Sequence, residues 1–143
     1  MPVFVDTWGW VALRQDRDEA HDAVSRFVWE AFESGERFVT SNFVLGETVT
    51  FAFGHYGASK GESILDDLLA MLKPPEFAVV EITPVRFQQA IELRRRYRDK
   101  PRISFTDLTT MVVMRELGIS DILTADRHFA QVNLGFRLAP DRR

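Results

Sequence analysis

Four acidic residues, Asp6, Glu47, Asp107 and Asp126, stand in sequence contexts that do not suit an ordinary surface carboxylate. Asp6 follows the apolar run Val3, Phe4, Val5, and Asp126 lies just past a predicted short strand over 119–124. Open α/β sheets bind ligands just beyond the carboxyl ends of their strands. Glu47 lies between Phe43 and Phe51 at four-residue spacing, which predicts an aromatic, inward-looking helical face. Asp107 shares a predicted helical face with Met111 and Met114. A carboxylate on a core-facing stripe is costly unless it is paired or bound to a metal. Two carboxylates about 5 Å apart repel by on the order of 3 kcal/mol at an effective dielectric near 20. Four in one pocket therefore need cations or protonation. Oxygen ligands without cysteine or histidine favour magnesium or manganese over zinc. One or two such ions can activate water and stabilise the leaving oxygen in phosphodiester hydrolysis. The plainer alternative is that each acid is a helix cap or loop residue with its own hydrogen bonds, which Asp107 suits by its place near a helix start.

The elements that must position these acids follow from periodicity and punctuation. Residues 3–5 form a buried strand, 18–34 an amphipathic helix stopped by Gly35, and 37–40 a second strand. Ser41 or Asn42 caps a helix that runs to about residue 56, where Gly57 breaks it. Ser59 to Glu62 fits a capping box opening the next helix, with Leu65, Leu68, Leu69 and Leu72 on its stripe. A strand over 77–82 precedes Thr83-Pro84, an N-cap with proline at the first helical position, and a helix to about residue 98. Thr106 or Asp107 opens the last long helix, with Leu117 on its apolar face and Gly118 as its left-handed cap. A strand over 119–124, a loop at 125–127 and a final strand at 136–139 complete the chain, with a frayed tail from Pro140. Alternating strands and helices predict a parallel sheet covered on both faces by helices, as one domain over residues 1–143.

Composition narrows the function classes. The chain has 143 residues, 45% hydrophobic and 27% charged, the profile of a globular domain. A net charge of -3 means that a nucleic-acid partner must meet a local basic patch. One candidate is the stretch from Arg94 to Arg102, with six basic residues and one acid. There Arg95, Arg98 and Arg102 could guide a phosphate backbone, Tyr97 could stack on a base, and the alternative is a solvated helix end. Arg127 beside Asp126 could contact phosphate or form a surface ion pair. The chain has no cysteine, which excludes disulfides and thiolate metal sites and fits a cytoplasmic protein. The first ten residues carry no basic region or long apolar segment, so neither a signal peptide nor a membrane span is expected. Histidines 21, 55 and 128 have no mutual ligand spacing, which argues against zinc or a histidine-based nucleophile. No glycine-rich phosphate loop is present. The tryptophans and phenylalanines read as core, with Trp8 or Trp10 exposed at a partner surface, and Asp121 reads as a surface residue before its strand.

With the motifs VFVDT, TSNFVLGE, SFTDLTTMVVMRELGI and LTADRHF in this order, followed by GFRLAP, the chain resembles PIN-domain nucleases, and among them VapC-type toxins. The resemblance covers nearly the whole chain. It implies an α/β/α sandwich, a three-layer fold with a mainly parallel central sheet, and a Mg²⁺-dependent ribonuclease site in which Mn²⁺ can substitute. It implies Asp6, Glu47, Asp107 and Asp126 as metal-site residues, with Thr7 and Thr124 as supporting polar groups. It also implies RNA as substrate, a homodimer and a small antitoxin that blocks the acidic groove. Trp8 departs from the pattern, because a small or polar residue often stands there. The alternatives are a non-catalytic PIN-like module that binds RNA or a protein, and a metal-dependent phosphatase. The phosphatase would want a second Asp at the position of Trp8.

Overall fold

The computed structural model describes residues 1–15 and 19–141. In chain order the elements are β1 (Val3–Val5), α1 (Thr7–Arg14), α2 (His21–Glu33), β2 (Phe38–Ser41), α3 (Asn42–Tyr56) and α4 (Ala58–Met71), followed by β3 (Phe77–Val80), α5 (Pro84–Arg96), α6 (Phe105–Leu117), β4 (Asp121–Leu123), α7 (His128–Gln131) and β5 (Arg137–Ala139). The five strands form one sheet in the order β3-β2-β1-β4-β5. All four pairings are parallel, with Phe4 opposite Val39 on one side and Ile122 on the other. The helices complete a three-layer α/β/α sandwich, as predicted. The core runs through the central strands, where Val3, Phe4, Ile122 and Leu123 are fully buried beside Met111 and Met114 of α6.

Several helix ends are built by the residues predicted to build them. Ser41 Oγ accepts from the Val44 amide at 3.2 Å, and Thr83 Oγ1 accepts from the Arg86 amide at 3.3 Å. Gly118 closes α6 in the left-handed region at φ 67°. Other ends differ. The helix predicted over 18–34 begins at His21, and its expected start at Asp18 lies outside the described residues. Helix α4 starts at Ala58 directly after Gly57 with no side-chain cap, so Ser59 to Glu62 is not a capping box. Helix α6 starts at Phe105, earlier than predicted, because Ser104 is the better cap: its Oγ accepts from the Asp107 amide at 3.1 Å.

Helix α1 is absent from the sequence reading. It is eight residues long and includes Thr7, Gly9, two tryptophans and Val11, all weaker helix formers than alanine or leucine, so its intrinsic signal is weak. Tertiary packing forms it. A Cβ at Gly9 would lie 2.9 Å from Leu123 Cδ2 and 3.0 Å from the Leu123 carbonyl oxygen, so glycine lets α1 sit directly against β4. Trp10 is buried and its indole N–H donates to Thr40 Oγ1 at 3.2 Å, while Trp8 is half-buried.

The assignment of the other tryptophan and the phenylalanines to the core is corrected: Trp29 is 62% exposed, and Phe32, Phe51 and Phe87 are also exposed. Leu69 and Leu117 likewise face solvent. Asp121 is not a surface residue. It is buried in β4, with Arg137 Nε 2.8 Å from its Oδ1, at the end of the strand opposite Leu123. The final strand is needed to bring Arg137 beside it.

Candidate active site

The carboxyl ends of β1 and β4 lie side by side, because Val5 pairs with Leu123. The residues that follow them, Asp6 and Thr124, therefore meet across 118 positions of sequence: Thr124 Oγ1 donates to Asp6 Oδ2 at 2.8 Å. The same hydroxyl accepts from the Asp126 amide at 3.0 Å, which fixes the turn carrying Asp126. Thr7, on the first turn of α1, donates to Glu47 Oε1 at 2.7 Å. Each threonine thus donates to a carboxylate.

A cavity of about 490 Å³ opens between these groups, lined by Asp6, Glu47, Asp107 and Asp126 together with Arg102 and Ser104. All four predicted acids face one space, but not equally closely. Ligand atoms of Asp107, Asp126 and His128 lie within 4.8 Å of one another, and Asp6 and Glu47 are outside that group. Glu47 does not lie on an inward face. Val44, Thr48 and Ala52 fill the buried stripe of α3, and Glu47 is exposed at the rim.

His128 was not legible as part of the site. Its Nδ1 is 3.0 Å from Asp126 Oδ1 and 3.9 Å from Asp107 Oδ2. Its backbone N–H also donates to Asp126 Oδ1 at 2.9 Å. The side-chain approach to Asp126 is close but not aligned as a hydrogen bond. The available signal was its spacing of two residues from Asp126, a turn that folds the ring back over the carboxylate. Spacing among the histidines alone could not reveal it.

The electrostatics are those of a site short of positive charge. Asp6 is 5% exposed and its Oδ1 has no hydrogen-bond partner. Burial raises its pKa to about 6, against the lowering effect of the Thr124 hydrogen bond. Asp107 is raised to about 8, first by burial, then by the charge of Asp6 and by a hydrogen bond with Asp126 that needs a proton. The helix-cap explanation for Asp107 fails, because Ser104 already caps α6 and the buried Asp107 carboxylate faces the cavity.

A PIN-domain family model matches residues 3–134. The chain belongs to the PIN-domain family. Its relatives include the 23S rRNA-specific endonuclease VapC20 of Mycobacterium tuberculosis, 31% identical over 131 residues that cover 90% of this chain and 92% of that protein. The crystal structure of the M. tuberculosis VapC20, described as a sarcin-ricin loop cleaving toxin, matches at a TM-score of 0.74 and 30% identity, covering 91% of this chain and 94% of that one. The structure of VapBC2 from Rickettsia felis, bound to a DNA fragment from its promoter, is similar in fold at a TM-score of 0.71 and 17% identity, over 96% of this chain and 97% of that one.

Around the acidic cavity the basic residues divide. Arg102 lines the acidic cavity, and Arg127 lines a neighbouring one. Arg95 and Arg98 are exposed and line neither. Arg94 is structural: its guanidinium donates to the carbonyls of Ile103, Tyr97 and Lys100 at 2.5, 2.7 and 2.7 Å and so ties the 97–103 loop to α5. Tyr97 cannot stack on a base as the sequence suggested, because its ring is 9% exposed and its hydroxyl donates to the Val132 carbonyl at 3.3 Å.

Proposed function

We propose that the chain is a divalent-metal-dependent endoribonuclease, the toxin of a toxin–antitoxin pair, acting in the cytoplasm as one PIN-like domain over residues 1–143. The observation that carries this reading is the concentration of carboxylates around one cavity, including a buried Asp6 oxygen without a partner. Such a donor set fits a cation: carboxylate oxygens suit Mg²⁺, and the imidazole of His128 extends the fit to Mn²⁺. Asp107, Asp126 and Asp6 would hold it, with Glu47 at the rim and His128 as a further donor. A bound divalent ion supplies an activated water and neutralises charge on the phosphate. The protein's own groups do the rest. Thr124 holds Asp6 and the Asp126 turn, Thr7 holds Glu47, and Arg102 at the cavity edge attracts the phosphate backbone.

The test is cleavage of single-stranded RNA by purified protein with Mg²⁺ or Mn²⁺, with chelator as control. Ribosomal RNA is the first substrate to try, since VapC20 is named for 23S rRNA. Cleavage is expected with either ion and none in chelator. Cleavage that persists in chelator overturns metal dependence, metal binding without cleavage of any RNA leaves a binding module, and turnover of a phosphomonoester instead points to a phosphatase. A small antitoxin and a homodimer belong to the same reading. Val79, Val85 and Phe87 are exposed apolar side chains that a second copy could cover. Among the described residues no helix is long and apolar enough to cross a membrane.

The division among the arginines gives a second expectation. Arg102→Ala should weaken RNA binding and flatten the dependence of log affinity on log salt by about 0.7. Arg94→Ala should instead lower the melting temperature, because three carbonyls lose a charged donor. An unchanged salt slope in the Arg102 variant would remove that side chain from the phosphate path.

A further inference from the structure

A second cavity, of about 360 Å³, lies directly beside the acidic one. The two share Trp8, Thr124 and Ala125 as lining residues, so Trp8 belongs to the wall common to both. The remaining wall is largely apolar, with Leu138, Ala139 and Pro140 at the end of β5, and two charged residues of opposite sign, Arg127 and Asp141, also line it. Resting on the nuclease reading above, we propose that this cavity receives the nucleobase next to the phosphate held in the acidic cavity, with Trp8 as its stacking surface.

The chemistry favours a base over the other parts of an RNA chain. Phosphate would gain little from an indole, a leucine and a proline, and of this lining Arg127 alone would attract it. A base has an apolar face and a polar edge. The face suits Trp8 and the apolar wall, and the edge can meet the cation of Arg127. The volume lies within the usual range of small-ligand cavities, roughly 300–1,000 Å³. Position supplies the rest of the argument. Within one nucleotide, base and phosphate lie on either side of a ribose. Two neighbouring cavities that share part of a wall can receive both at once. Trp8 is fixed for this role: it sits on the first turn of α1, one residue after the Thr7 that holds Glu47, and packs against the core. Trp8, which lines both cavities, is thereby assigned to substrate positioning.

The experiment measures affinity separately from cleavage. The native protein first identifies a short single-stranded RNA that it cuts at one bond. The same RNA, with each nucleotide near that bond made abasic in turn, is then titrated against the Asp107→Asn chain carrying Trp8, Trp8→Phe or Trp8→Leu. With Trp8, one abasic position beside the cut phosphate should lower affinity roughly ten- to a hundredfold. Trp8→Phe should keep most of that penalty. Trp8→Leu, which retains apolar bulk against the core, should bind intact RNA about as weakly as Trp8 binds the abasic RNA, and should lose the penalty. A penalty that survives in Trp8→Leu, or equal weakening of intact and abasic RNA, overturns the proposal and leaves Trp8 as a packing residue. Unchanged RNA affinity in Trp8→Leu also overturns it and would assign the cavity to another occupant, such as a protein partner. Failure of the native protein to cut any RNA is a separate result and counts against the nuclease reading itself.

Discussion

Asp107→Asn should lower RNA cleavage a hundredfold or more while leaving the protein folded. The carboxylate is buried on the first turn of α6, with Met111 and Met114 behind it and the cavity in front. It belongs to the tight group with Asp126 and His128, where one ligand atom from each lies within 4.8 Å of the others. Asparagine keeps the shape and one oxygen but removes the charge that a divalent cation requires. The helix start should survive, since Ser104 provides its cap. Glu47→Gln should cost less, because Glu47 is exposed at the rim and outside the 4.8 Å group. Initial rates with Mg²⁺, on protein purified free of contaminating nuclease, decide the matter. A fully active Asp107→Asn protein would remove Asp107 from the chemistry and with it the present reading of the cavity.

The metal-free protein should lose stability as pH rises from 5.5 to 7, and Asp107→Asn should reverse that loss. Burial raises the folded-state pKa of Asp107 to about 8, with the charges of Asp6 and Asp126 adding to the effect, and burial raises Asp6 to about 6. Both groups start from the ordinary aspartate value of 3.8. Between the unfolded and folded values the unfolded chain has released a proton that the folded chain still holds. The unfolded state is therefore favoured by about 1.4 kcal/mol for each pH unit crossed. Stability is complete below the unfolded pKa and is lost as pH climbs toward the folded one. The carboxylates around Asp107 should therefore remove stability between pH 5.5 and 7. Asn at this position has no such titration, so the variant should melt higher than wild type in chelator at pH 7 and show a flatter pH profile. Mg²⁺ at a hundred times its dissociation constant should restore about 2.7 kcal/mol to wild type and much less to the variant. The opposite signs, a variant that melts lower in chelator and a wild type indifferent to metal, would make Asp107 a structural acid.

Burial, more than mutual repulsion, sets these pKa values, and burial is a property of the assembled chain. A sequence can show that Asp107 shares a stripe with Met111 and Met114. It cannot show how much protein lies over that stripe. The same limit explains Glu47. Four-residue spacing from Phe43 and Phe51 suggests an inward face, but α3 buries the neighbouring stripe of Val44, Thr48 and Ala52. Periodicity identifies a face and not the side on which the rest of the protein will lie.

The sequence by itself determined the alternation of strands and helices, the caps at Ser41 and Thr83, the turn at Gly118, and the placing of Asp6 and Asp126 beyond strand ends. These features are local: each depends on hydrogen bonds or apolar contacts within a few residues. Tertiary structure alone decided what meets what. Placing β1 between β2 and β4 brings Asp6 to Thr124, and brings Thr7 to Glu47 through α1, a helix that exists because Gly9 fits against Leu123. It also folds His128 over Asp126, buries Tyr97, and turns Arg94 inward onto three carbonyls. Strand order and burial are set by contacts distant in sequence, whose strength depends on the whole packed core, so no short window of residues encodes them.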